Sequence, residues 1–178
     1  MYTFKTASIQ TNDVIREFLD DLYFLTEISF TVTSAIRTPR QQAQAVYNKI
    51  QLGDDITKIY NYSYAQAMIS AYPNIDAMTT VVESMDSTPH VRGRGVDIRT
   101  TDLTPDQITR IRKACTDLGC KTLLETTPPH LHITIPNTYL SFKANTTDTT
   151  DKTDKTEKKT LNIGLILGAI WIFRKLLK

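Results

Sequence analysis

Residues 143 to 160, "KANTTDTTDKTDKTEKKT", hold no apolar side chain beyond Ala144. A stretch of this kind cannot bury enough surface to offset the entropy of ordering it, so it reads as a solvated tether. Its acids and lysines nearly cancel, which gives no charge-specific tail. The chain therefore cannot fold as one globule. It divides into a domain over 1–142, a flexible Thr/Asp/Lys-rich tether over 143–160, and a terminal segment over 161–178. The domain alternates apolar and polar segments, and a chain that is 40% hydrophobic and 22% charged has the composition of an ordinary soluble protein. A net charge of +2, with no dense basic stripe, gives no nucleic acid as partner.

The terminal segment, "LNIGLILGAIWIFRKLLK", carries an uncharged run of thirteen residues over 161–173. As a helix it spans about 20 Å, short of the roughly 20 residues that cross a bilayer comfortably. Trp171 and the cations Arg174, Lys175 and Lys178 suit a membrane interface. The expectation is a membrane-directed C-terminal helix, spanning or surface-lying, with packing on protein as the alternative. Gly164 and Gly168 form a GxxxG pair suited to weak self-association of two such helices. The opening "MYTFKTASIQ" lacks a basic region followed by an apolar run, so no N-terminal signal peptide is expected and the location is read as membrane-associated. Cys115 and Cys120 make neither a disulfide framework nor a CxxC metal motif, and read as small buried hydrophobes.

Within the domain, helix ends are written plainly. Capping-type residues open a helix near Asn12 with Val14, Phe18 and Leu22 on one face. Thr38 and Pro39 start a second that stops at Gly53, and Thr104 with Pro105 starts another that stops at Gly119. Residues 55–84 read as one or two helices broken near Pro73. Alternation marks a half-buried strand over 28–37, and shorter strands are expected over 95–100, 121–125 and 131–135. No regular β-α-β repeat is present, which predicts an α+β fold with a small, mostly antiparallel sheet packed with several helices.

The chain has three histidines, and all fall in two short stretches. "HVRGRGVD" holds His90 seven residues before Asp97, and "PHLHI" holds His130 and His132. Side chains two apart on a strand share a face. His130 and His132 then point one way while Leu131, Ile133 and Ile135 enter the core. Asp97 shares parity with Gly95 and Arg99, against Val96 and Ile98. Adjacent strands would thus bring Asp97 and His132 to a common surface, with His90 closing a third side from the loop. Two imidazoles and a carboxylate leave a fourth tetrahedral position open, the donor set of a catalytic zinc.

The stretch from His90 to Asp97 resembles the H-x-x-G-x-[AG]-x-D motif of the zinc peptidases related to D-alanyl-D-alanine carboxypeptidase, a group that includes phage L-alanyl-D-glutamate endolysins. "SAIRTPRQQAQ" is similar to that family's S-x-x-R-[ST]-x-x-x-Q segment at Ser34, Arg37, Thr38 and Gln42. "PHLHI" resembles the H-x-H of the wider fold group shared with lysostaphin, penicillin-insensitive murein endopeptidase and hedgehog. The resemblance covers roughly residues 28–135. It implies zinc ligands at His90, Asp97 and His132, a catalytic His130 beside the metal, and Arg37 holding a substrate carboxylate or polarised carbonyl. Many relatives place a carboxylate three residues before the last ligand, where this chain has Pro129. The general base is then His130 or Glu125.

The function these residues imply is a zinc peptidase acting on bacterial peptidoglycan peptides, phage-encoded and used in lysis or in penetrating the host envelope. A membrane-anchored virion structural protein with a structural zinc, and a dipeptidase of the D-Ala-D-Ala type, are the alternatives.

Overall fold

The computed structural model describes residues 1–85 and 88–141. The tether expected over 143–160 and the helix expected over 161–178 lie outside the described residues. Among the described residues no helix is long and apolar enough to cross a membrane.

The first strand, β1 (Tyr2–Phe4), is too short for alternation to announce it and went unread in the sequence. Asn12 then caps α1 (Asp13–Thr26) by accepting the Ile15 N–H at 2.9 Å. After β2 (Phe30–Ser34), α2 (Pro39–Gln51) opens with a full capping box between Thr38 and Gln41. A 3₁₀ turn (Ile56–Lys58) leads into α3 (Tyr62–Ala71) and α4 (Ile75–Met85), with Pro73 in the break. β3 (Gly95–Arg99) follows, then α5 (Pro105–Asp117), whose capping box pairs Thr104 with Gln107. The edge strand β4 (Lys121–Thr126) and β5 (Pro129–Thr134) complete the order. Each capping box satisfies two backbone N–H groups that a helix start would otherwise leave bare.

The fold is α+β, with a five-stranded mixed sheet in the order β1-β2-β3-β5-β4. The β1–β2 pair is parallel and the other three pairings are antiparallel. One face is apolar: Val32, Val96, Ile98, Leu131 and Ile133 meet Ile15, Phe18, Leu19 and Leu22 of α1 and Ile111 of α5. All of these are fully buried, and each large side chain removed from water contributes about 1.5–3 kcal/mol. Cys115 and Cys120 lie in this same cluster as free, buried thiols. Tyr139 donates to Asp21 of α1 at 2.6 Å, tying the chain beyond β5 to the helix layer.

A second apolar cluster joins Ala43 and Val46 of α2, Ile56, Tyr64, Ala65 and Met68 of α3, and Met78 and Val82 of α4. It faces the polar side of the sheet. Between the two lies a cleft of about 510 Å³, lined from the sheet by Asp97, His130 and His132 and from the other side by Gln42 and Lys49 of α2 and by Tyr60, on the bend before α3.

The strand expected over 28–37 is shorter than its alternation suggested. Its register with β3 shifts between Val32 and Ser34, so that Ser34 rather than Thr33 stands opposite Asp97. Such a bulge turns consecutive side chains towards one face. Arg37, which falls inside the expected strand, lies beyond β2 on the connection into α2.

Candidate metal centre

β3 and β5 set the first two donors. Their register places Asp97 directly across from His132, and opposed residues on one sheet face hold their side chains within contact distance. His132 Nδ1 lies 2.9 Å from Asp97 Oδ1.

His90 comes from the turn ahead of β3. That turn is wound by backbone bonds from Arg92 to Thr88, from Gly93 to His90 and from Arg94 to Pro89. Gly93 has φ +67°, a left-handed conformation that glycine adopts without strain. Gly95 lies directly beneath the imidazole. A Cβ there would come within 2.7–2.9 Å of His90 N, Cγ and Nδ1. The two glycines let His90 fold back over its own strand, which brings Nε2 to 3.2 Å from both Asp97 Oδ1 and His132 Nδ1.

The second contacts of these donors fix their protons. His90 Nδ1–H donates to the Ala35 carbonyl at 2.5 Å, and a carbonyl only accepts. In the neutral ring Nε2 then bears a lone pair. Burial lowers the pKa of His90, against the pull of Asp97, and so favours that neutral form. His132 Nε2 meets the Thr134 hydroxyl at 3.2 Å. Burial works against the Asp97 carboxylate, yet the hydrogen bond from His132 and the charge of Arg37 hold its pKa well below the usual range. An imidazole lone pair and an ionised carboxylate oxygen thus face one another at 3.2 Å with no proton between them, both on residues only 4% exposed. An arrangement of that kind is stabilised by a cation.

The spacing suits one. A tetrahedral ion with ligand bonds of about 2.0–2.1 Å needs donors about 3.3 Å apart. The three separations here are 2.9, 3.2 and 3.2 Å. His90, Asp97 and His132 form a group able to hold a metal ion, with outer contacts from Ala35, Thr134 and Arg37 that orient each ligand.

His130 lies on the same face of β5. Its Nδ1–H donates to the Pro128 carbonyl at 2.6 Å, and its Nε2 lies 3.7 Å from Asp97 Oδ1. Glu125 stands across from it in the β4–β5 register, with Oε1 3.4 Å from Nε2. Sequence separation put Glu125 out of step with His132, but cross-strand pairing brings it to His130 instead. Burial opposes the imidazolium of His130, and the Glu125 hydrogen bond with the charge of Asp97 outweighs it, so the pKa rises. Burial likewise opposes the Glu125 carboxylate, but His130 and Lys49 hold its pKa at about 2.

Arg37 meets the centre from behind. Its Nη2 donates to Asp97 Oδ2 at 2.6 Å, its Nε to Ser34 at 2.8 Å and its Nη1 to Gln42 at 3.0 Å. Three of its five N–H groups therefore orient the carboxylate ligand and the bulge of β2. Lys49, which the sequence reading passed over, makes a short ion pair with Glu125. Its signal was present: Gln42, Ala43, Val46 and Lys49 recur at helical spacing on the buried face of α2.

No family model matches the chain, and comparison with curated proteins and with solved structures gives no match either.

Proposed function

We propose that this chain is a zinc-dependent peptidase that hydrolyses peptide bonds in bacterial peptidoglycan stem peptides, phage-encoded and used in lysis or in penetrating the host envelope. The observation that carries the catalytic part is a third imidazole, His130, beside the His90–Asp97–His132 group on the wall of an open cleft. A structural metal site is closed by four protein ligands, whereas this one offers three donors among the described residues. The cell-wall substrate is supported by the resemblance of the His90–Asp97, Arg37 and His130–His132 segments to peptidoglycan-cutting zinc peptidases.

Bound at these donors, zinc would polarise a peptide carbonyl and lower the pKa of a coordinated water towards 7. His130 holds a proton at Nδ1 for Pro128 and sets Nε2 on the cleft wall beside Glu125, where the His130–Glu125 pair would take or return a proton during cleavage. Glu125 supports that imidazole in its charged form. Arg37 keeps Asp97 ionised and turned towards the two histidines. The 161–178 segment would hold the enzyme on a membrane, with the tether giving reach to the wall.

The same two-histidine, one-carboxylate set also serves non-haem iron, so elemental analysis of the purified protein accompanies the assay. Zinc-loaded protein on purified murein should release peptide fragments, and His130→Ala should keep its zinc while losing about two orders of magnitude in rate or more. Murein left intact by the zinc-loaded wild type would overturn the reading.

A further inference from the structure

Lys49 occupies the apolar stripe of α2 and is 9% exposed. Taking an ammonium out of water is costly, and a methionine of similar length would cover the same neighbours more cheaply. What the ammonium touches accounts for its presence. It pairs with Glu125 Oε2 and donates to the Thr127 carbonyl at 3.3 Å. Each contact leads to a different nitrogen of one ring. The other oxygen of Glu125 lies 3.4 Å from His130 Nε2. Thr127 precedes Pro128, whose carbonyl accepts from His130 Nδ1 at 2.6 Å. Sheet register fixes the His130 backbone, but the rotation of the ring depends on what grips its two nitrogens.

We propose that Lys49 is a positioning residue for His130, reaching from the helical layer to hold both the carboxylate and the turn that fix the ring. Its importance for turnover rests on the peptidase reading above. The positional claim stands on the contacts alone.

The test compares Lys49→Met, Lys49→Arg and the isosteric Glu125→Gln in full-length protein labelled with ¹⁵N-histidine and loaded with zinc. Zinc content, melting temperature, the imidazole ¹⁵N shifts and the kcat and KM on murein peptide are read for each. In Lys49→Met and Glu125→Gln the His130 resonances should move while those of His90 and His132 stay and one zinc is retained. kcat should fall about 10- to 100-fold with KM within about twofold, since ground-state binding is untouched. Lys49→Arg keeps a charge able to span both acceptors and should restore the His130 shifts and most of kcat. Unmoved His130 resonances in Lys49→Met, or equal movement of all three histidines, would overturn the proposal. If Lys49→Met does not fold, Lys49→Gln, which keeps a polar side chain of nearly the same length without the charge, carries the same comparison. Should wild type fail to cut murein, the peptidase reading falls, and the His130 shifts alone decide the role of Lys49.

Discussion

Asp97 and His132 reach the cleft from a sheet whose far face is sealed by α1 and α5, whereas Gln42 and Lys49 reach it from the buried stripe of α2. The first pair is placed by backbone pairing, where a one-residue slip would send both side chains to the wrong face. The second is placed by packing between helices and by the length of flexible side chains. The sheet side therefore sets donor positions to tenths of an ångström, and the helical side adjusts what surrounds them.

The sharpest way to break this division is to remove a metal donor from the sheet or from the turn that leads into it. His90→Ala, Asp97→Ala and His132→Ala should each take the protein from one bound zinc to none, because two donors no longer hold the ion against water. Elemental analysis after gel filtration checks it, and full zinc in all three variants would remove the site.

A matched pair of core truncations comes next. Leu131→Ala and Met78→Ala each empty a fully buried site and should each cost about 2–5 kcal/mol in urea unfolding. Only the first lies between His130 and His132, so only it should also weaken zinc binding. Equal zinc affinity in the two variants would erase the distinction between the clusters.

Acid sharpens the contact between the layers. Glu125 is held at about 2 against an ordinary 4.5, so its ionised form contributes stability above the unfolded value that is lost as the pH falls from 4.5 towards 2. Metal-free Glu125→Gln should accordingly lose less stability than wild type over that interval. Parallel acid limbs in the two proteins would refute the assignment. The smallest effect belongs to the outer surface of the helical layer, where Arg40 of α2 pairs with Asp76 of α4 at 64% and 79% side-chain exposure. Asp76→Asn should change stability by no more than about 0.5 kcal/mol, measured by the same unfolding curves.

Much of the sheet side was legible in the sequence because local rules govern it. Alternation in "GVDIRT" and "HLHITI" gave the faces of Asp97 and His132, and the Thr-Pro caps gave the starts of α2 and α5. The bulge after Val32 was not legible, since an inserted residue looks like continued alternation until its partner strand is known. Glu125 and Lys49 were missed as a pair for a similar reason. They are 76 residues apart and meet only once β4 lies beside β5 under α2.

The two ion pairs in the cleft wall have a further consequence once their charges are added. Asp97 and Glu125 carry −1 each, and Arg37 and Lys49 carry +1 each, so the sum is (−2) + (+2) = 0. Those four groups have no spare negative charge with which to neutralise a divalent ion, and Lys5 and Lys121, which also line the cleft, supply none. Arrival of a divalent ion raises the sum over the four paired groups to +2 before any proton on His130 is counted. In a region screened from water such an excess acts over several ångströms. The loaded cleft therefore draws anionic groups and repels cationic ones, and a peptide bearing free carboxylates would complete its charge.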